Sequence, residues 1–581
     1  MNTSSNISRI STFNREFFDS KEEFTCIGEG SLGGKAKGLA FIKDFITSKL
    51  DIKDYPDFII NIPRLTVIST SIFDSFMKRN DLYETAYSDM PDDRIAHRFQ
   101  LADLPAELLG DLRGLIAKVH SPLAIRSSSL LEDAMYEPFA GIYGTKMIPN
   151  NQFETDVRFH KLTEAIKFVY ASTFFKKAKD YILATNNKIE DEKMAVIIQE
   201  IVGQRYPGRF YPNFAGVARS YNYYPTGRSK PEDGVVDLAI GLGKTIVDGG
   251  ISWSYSPAQP KAQPPFGSVK YLIEQTQKSY WSVNMGKSPA YDPIKETEYL
   301  MELGLKEAEE DGILDMTVST YDASSDRVVP GTGAKGVRIV NFAPLLGLNM
   351  MPFNRLIKDI LKICSDAVGT AVEIEFAVNF DTKNFSQARF GFLQVRPMVV
   401  SNDIVEIADE ELTSDKLFTL SRFVLGNGII DSIRDVVYVK PDRFDAKFTN
   451  RIAKELEEIN LELTKSKTPY MLVGFGRWGS SDPWLGIPVN WGQISGAKVI
   501  IESMLPNMNV DLSQGSHFFH NITSFRILYF SLPYSEKPSI KWDWLNEAKT
   551  ICETDFIRHI RFDTPLMVKV DGRTSRGIIL I

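Results

Sequence analysis

The sequence predicts a mixed α/β (α+β) protein built from more than one unit, on three observations. Short β-branched runs alternate with longer stretches whose apolar residues recur at helical spacing, the pattern of strands and helices packed in layers. The chain has 581 residues, several times the usual size of one domain. An acidic stretch without aromatics, SNDIVEIADEELTSDK (401–416), interrupts the pattern and marks a boundary.

The elements follow in order. Residues 1–20 are polar and read as a disordered arm without the apolar core of a signal peptide. A Gly-rich loop, CIGEGSLGGKAKG (26–38), runs into the helical pattern LAFIKDFI. FIINIPRLTVIST (58–70) reads as strand, turn, strand, and 72–120 as mostly helical. LAIRSSS (123–129) is a short apolar strand entering a hydroxyl cluster. The region 157–187 carries a helical apolar stripe that reads as core, and MAVIIQEIV (194–202) a buried strand. Strands and turns fill 209–256, and PAQPKAQPPFGS (257–268) is an exposed Pro-rich loop. Helical patterns return at 294–310 and 353–368. EIEFAVNF (373–380) and RFGFLQVRP (389–397) form a hairpin across the polar turn DTKNFSQA. The expected division is one unit over 21–400, with subdomains 21–215 and 216–400, a linker over 401–420, and a smaller α/β unit over 421–581. That last unit carries an amphipathic helix near 445–464 and a Gly- and Trp-rich segment at 474–492.

Charge and cysteine usage narrow the class. A formal net charge of −7 argues against a protein whose main task is to neutralise a nucleic-acid backbone. No apolar run approaches the ~18 residues that span a bilayer, so no membrane partner is expected. Cys26, Cys364 and Cys552 are far apart and form no CxxC, which indicates neither a disulfide framework nor a thiolate metal site. A reducing, cytoplasmic setting is expected.

Several residues suit phosphate chemistry. Glycines before Lys35 let backbone N–H groups approach a phosphate, and the lysine adds a mobile cation, although such loops are also ordinary turns. Arg126, at a strand end, can fork onto phosphate oxygens or pair with Glu132 or Asp133. Glu373 and Glu375 share one strand face, as do Gln394 and Arg396 on the partner strand. A carboxylate and an amide oxygen on adjacent strands suit Mg²⁺, with Arg396 to offset charge; the same residues equally make a structural cross-strand pair. GLGKT (241–245) is not a Walker motif, because position 238, where that motif needs glycine, is Leu238.

The order of the blocks GGKAKGLA, LAIRSSSLLEDAMYEPFAGIYGT, MAVIIQEIV, AIGLGKTIVDGG, EIEFA and FLQVRP resembles the ATP-grasp nucleotide-binding domain of the phosphoenolpyruvate synthase and pyruvate, phosphate dikinase family, over roughly residues 25–400. The resemblance implies an ATP-grasp-type two-lobed domain and a dikinase-like, ATP-dependent phosphotransferase using ATP and Mg²⁺. It makes Lys35 and Arg126 the phosphate-contacting pair. It assigns Gly141 and Thr145 to the loop over the phosphates and Gln199 to the adenine side. Glu375, Gln394 and Arg396 become the metal- and phosphate-binding set, with Glu375 and Gln394 as metal ligands. The chain departs from the pattern at the residues between Gly141 and Thr145 and at Lys244, where relatives often carry a glutamate.

Members of that family relay phosphate through a histidine on a mobile domain to pyruvate in a C-terminal barrel. A barrel needs about 250 residues, and about 165 follow the linker here. The usual histidine block is absent; its nearest echo is SQGSHFFHNI (513–522), where His517 is a candidate phosphoryl acceptor, a structural histidine, or with His520 part of a metal pair. GFGRWGSSDPWLGIPVNWGQ (474–493) offers Arg477 as an anion fork and Trp478, Trp484 and Trp491 as pocket walls or core. Two functions fit: a phosphotransferase acting on a small-molecule acceptor, pyruvate first, or a nucleotide-binding regulator or subunit of a split system.

Overall fold

The computed structural model describes residues 10–15, 24–132, 141–183, 185, 187–223, 225, 229–262, 269–380, 387–398, 400, 405–480, 482, 484–505, 522, 527–534, 540–572 and 574–581. The chain folds around three main sheets.

The first sheet has the strand order Ser11–Thr12, Phe24–Ile27, Leu65–Ile68, Met194–Glu200, Leu123–Ser129, Thr145–Ile148. Its four inner strands are almost wholly buried, which is why Leu65–Ile68 and Met194–Glu200 read as largely apolar runs rather than alternating ones. Helices Thr70–Arg79, Asp92–Leu101, Ala106–Lys118 and Thr155–Ser172 cover it through a cluster that includes Phe76, Phe99 and Tyr170. The arm expected over 1–20 is ordered in part. Ser11–Thr12 pairs in parallel with Thr25 and Cys26 because Phe13 inserts into the core beside it.

The second sheet has the order Trp253–Tyr255, Val235–Ile240, Phe214–Arg219, Val372–Phe380, Ala388–Pro397, Phe58–Asn61. Its last strand comes from the N-terminal part of the chain and pairs in parallel with Ala388–Gly391. The strand–turn–strand at 58–68 thus stitches the two sheets together. Helix Phe353–Val368 packs on this sheet through Leu356, Ile357, Ile360 and Cys364, an i, i+1, i+4, i+8 stripe.

One helical expectation fails. Of residues 294–310 only Leu305–Glu310 is helical, while Leu300–Gly304 is a strand paired with Ser279–Val283. The open edge of that neighbour overrides a modest local helical preference.

The C-terminal sheet is built from strands between Leu417 and Leu580. Leu417–Ser421, which begins inside the expected linker, already belongs to it by pairing with Gly577–Leu580. Gly428–Val439, Tyr470–Phe475, Ala497–Ser503 and Leu528–Leu532 lie side by side in parallel. Helix Thr449–Lys465 makes the crossover between the first two, burying Ile452, Leu456, Ile459 and Leu463. Phe475, Trp478 and Trp491 join the same apolar cluster as Ile68 and Phe76, so the C-terminal sheet and the first sheet share one core. Among the described residues no helix is long and apolar enough to cross a membrane.

Candidate functional site

A cavity of about 540 Å³ opens between the first and second sheets, and Lys35, Arg126, Gly141, Thr145, Gln199, Glu375 and Gln394 all line it. Residues far apart in sequence reach one space because the sheets meet along the strands that carry them.

Lys35 is placed by a close approach. Gly33 has φ +76°, and a Cβ there would lie 1.6 Å from the Ser128 carbonyl oxygen, so only glycine lets the loop sit against strand Leu123–Ser129. Ser128 fastens the contact, accepting from the Ala36 amide at 3.1 Å and donating to the Leu32 carbonyl at 2.8 Å. The Lys35 ammonium then meets Glu132 at 2.8 Å, and Glu132 also accepts from Ser127 Oγ and the Ser129 amide, each at 2.8 Å. The serine cluster therefore holds the glycine loop and the counterion of its lysine.

Arg126 spans the two sheets. Its guanidinium donates to Gln394 Oε1 at 2.7 Å, the Leu393 carbonyl at 3.0 Å and Gln199 Oε1 at 3.2 Å, and lies 3.5 Å from Glu375. Glu132, considered as its partner, pairs with Lys35 instead.

Behind Glu375 runs a ladder of alternating charge. Antiparallel register sets Arg219 opposite Glu373, Glu373 opposite Arg396, and Glu375 opposite Gln394. Asp237 pairs with Arg219 at 3.2 Å, Arg219 with Glu373 at 2.7 Å, and Arg396 Nε with Glu373 at 2.6 Å. Arg396, only 2% exposed, stands one step behind the cavity wall and reaches Glu375 at 3.5 Å. Arg219 escaped sequence reasoning because its role depends on strand register.

The loop of Gly141 and Thr145 closes a second, charged end. The Gly141 carbonyl accepts from Lys177 Nζ at 2.6 Å, and the Thr145 amide donates to Glu296 at 3.2 Å. Lys244 pairs with Asp248 at 2.6 Å, and all four charged residues line the cavity. Lys177 and Glu296 are both open to the cavity, and the protein crowding around their heads lowers the Lys177 pKa and raises that of Glu296. Sequence reasoning noticed Lys244 in rejecting a Walker motif and as a departure from the family pattern, and no motif marks Lys177 or Glu296.

Met147, Ile201, Val202, Pro212, Leu242 and Leu300 make an apolar end suited to a ring. Gln199 is 2% exposed, and its Nε2 finds no hydrogen-bond partner among the described residues.

Among the described residues no group of three or more His, Cys, Asp or Glu could hold a metal. Glu375 and Gln394 nonetheless present two hard oxygen donors, directly opposed across adjacent strands and facing the cavity. Mg²⁺ takes few protein oxygens and draws the rest from phosphate and water, so the pair fits it.

The C-terminal unit also reaches this space through Gly479, Ser480, Pro488, Val489, Asn490 and Trp491. Of the three tryptophans weighed as walls, Trp491 lines the cavity, Trp478 is core at 1% exposure and Trp484 is 72% exposed. His517 and His520 lie outside the described residues.

No curated protein matches the chain. Residues 29–416 match the family described as pyruvate phosphate dikinase, AMP/ATP-binding domain. That match spans more than half of the chain, takes in every site residue placed above except those of the C-terminal wall, and shows that the chain belongs to this nucleotide-binding, phosphotransferase-related family.

Proposed function

We propose that the cavity binds ATP with Mg²⁺ and that the chain is a dikinase-like phosphotransferase. One observation carries this: Lys35 from the first turn of helix Gly33–Lys49, Arg126 from the first sheet, and Glu375 and Gln394 from the second sheet line a single cavity that also has an apolar end. Gln199 and the apolar residues receive the adenine, with the Gln199 amide nitrogen available to a ring acceptor. Lys35 and Arg126 exchange their resting partners, Glu132 and Gln394, for phosphate oxygens. Glu375 and Gln394 would hold Mg²⁺, which neutralises phosphate charge when bound. Arg396 acts on this set through Glu375. Gly141 and Thr145 present their backbone at the phosphate end, and positioning with charge stabilisation supplies the catalysis. The acceptor is a small molecule, pyruvate first, reached directly or through a phosphohistidine at His517.

Calorimetric titration with Mg-ATP tests the binding. Lys35→Met combined with Glu132→Gln, which leaves no buried carboxylate unpaired, should abolish saturable binding while melting like wild type. Labelled ATP then separates the functions: AMP with labelled protein or acceptor marks the phosphotransferase, and tight binding with neither marks a regulator. Equal Mg-ATP affinity in the double variant and the wild type would end the assignment.

A further inference from the structure

We propose that the C-terminal unit completes the nucleotide cavity, with Arg477 as a positioning residue and Gly479, Ser480, Pro488, Val489, Asn490 and Trp491 as a wall that touches the bound nucleotide. The inference rests on the nucleotide reading of the cavity and adds residues outside the matched family region, which ends at 416.

The topology of the C-terminal sheet points this way. In open α/β sheets, ligands sit beyond the carboxyl ends of parallel strands. Strand Tyr470–Phe475 is flanked on both sides by parallel neighbours, and its carboxyl end leads directly into Gly476–Ser480. Gly476 and Gly479, at φ +69° and +72°, turn the chain there, and Gly479 and Ser480 line the cavity.

Arg477 ties this turn to the opposite wall. It is 8% exposed, and its Nη1 donates to the Gly249 carbonyl at 2.8 Å, across 228 positions of sequence. Gly249 follows the stretch that places Lys244, Val247 and Asp248 in the cavity. Arg477 thus fixes its own wall and the facing one with a single side chain. Glu502 is fully buried nearby, where the Arg477 charge favours its ionised form against the larger cost of burial, and Tyr529 donates to its carboxyl group.

The same segment is fastened to the first sheet's helices. A Cβ at Gly492 would lie 2.5 Å from the Asp180 Cβ, so the turn presses on helix Lys176–Leu183. Lys176, on that helix, pairs with Asp180 at 2.8 Å and with Glu457 of helix Thr449–Lys465 at 2.6 Å. Asn490 caps the turn Trp491–Ile494, accepting from the Gln493 amide at 3.2 Å, and lines the cavity. The wall is therefore anchored on both sides of the space it closes, and a nucleotide in the cavity lies against it.

Mg-ATP titration of full-length variants is the test. Asn490→Asp keeps the cap, since aspartate caps as well as asparagine, and adds a negative charge to the wall; it should weaken Mg-ATP by about tenfold or more. Arg477→Met with Glu502→Gln removes the tether without stranding a buried carboxylate, and should weaken Mg-ATP by about tenfold. Arg477→Lys keeps a cationic donor toward Gly249 and should recover most of that loss, which a purely structural role would not predict. Wild-type affinity in Asn490→Asp overturns the wall, and wild-type affinity in the Arg477→Met, Glu502→Gln double variant overturns the tether. Failure of the wild type to bind Mg-ATP is a separate result: it removes the nucleotide reading itself.

Discussion

Glu502 shows what one buried group imposes on the chain. Burial pushes its pKa up to about 7 from an ordinary 4.5, and the Tyr529 hydroxyl, the Arg477 charge and the Trp478 amide only partly offset that desolvation. Between those two values the folded chain holds a proton that the unfolded chain has released, so stability falls as pH rises across that window and levels off above it. At one pKa unit per ~1.4 kcal/mol, the loss is on the order of 3 kcal/mol. Glu502→Gln keeps an oxygen for Tyr529 and carries no proton to lose. Melting curves from pH 5 to pH 8 should therefore fall more steeply for the wild type than for Glu502→Gln, with the variant the more stable of the two at pH 8. Parallel slopes would mean that Glu502 stays ionised in the folded chain.

At the scale of elements, the hairpin Val372–Phe380 with Ala388–Pro397 carries both the cavity wall and the charge ladder behind it. Arg219 is the rung on which the ladder depends, since it is 2% exposed and neutralises both Asp237 and Glu373. Arg219→Met should cost about 3–5 kcal/mol, because it leaves two buried carboxylates short of a cation. Lys193→Met removes the pair with Asp74, whose side chains are 44% and 40% exposed, and should cost about 1 kcal/mol or less. Urea denaturation of the two variants measures the contrast, and equal losses would show that the ladder holds little of the sheet's stability. The hairpin itself was legible in the sequence, because alternation with period two sets Glu373 with Glu375 and Gln394 with Arg396 on shared faces. Which of them face the cavity was not legible, because that depends on the neighbouring strand Phe214–Arg219 and on the register shift after Glu375. The strand Leu300–Gly304 was missed for the same kind of reason: its partner is what makes it a strand.

At the scale of the molecule, the convergence of Lys35, Arg126 and Glu375 on one cavity could be read from the order in which their blocks follow one another, since each block alone is also an ordinary turn or ion pair. The segment 474–493 was readable as a pocket wall or core, but which space it faces was not, since nothing local in GRWGSS tells that Gly249 lies opposite. That long-range contact and the shared core of Phe475, Trp478 and Trp491 with the first sheet make the C-terminal unit mechanically continuous with the cavity. A ligand that binds only the folded state stabilises whatever unfolds with its site, by about 2.7 kcal/mol at one hundred times its dissociation constant. Of the seven tryptophans, Trp253 and Trp281 lie outside the C-terminal unit and the other five within it, so tryptophan fluorescence reports mainly on that unit. Heating with Mg-ATP at that excess should shift the fluorescence transition upward together with the loss of far-ultraviolet helical signal, most of which comes from helices before residue 400. A helical transition that moves with Mg-ATP while the fluorescence transition stays in place would mean that the C-terminal unit melts on its own and that its contacts with the cavity carry no stability.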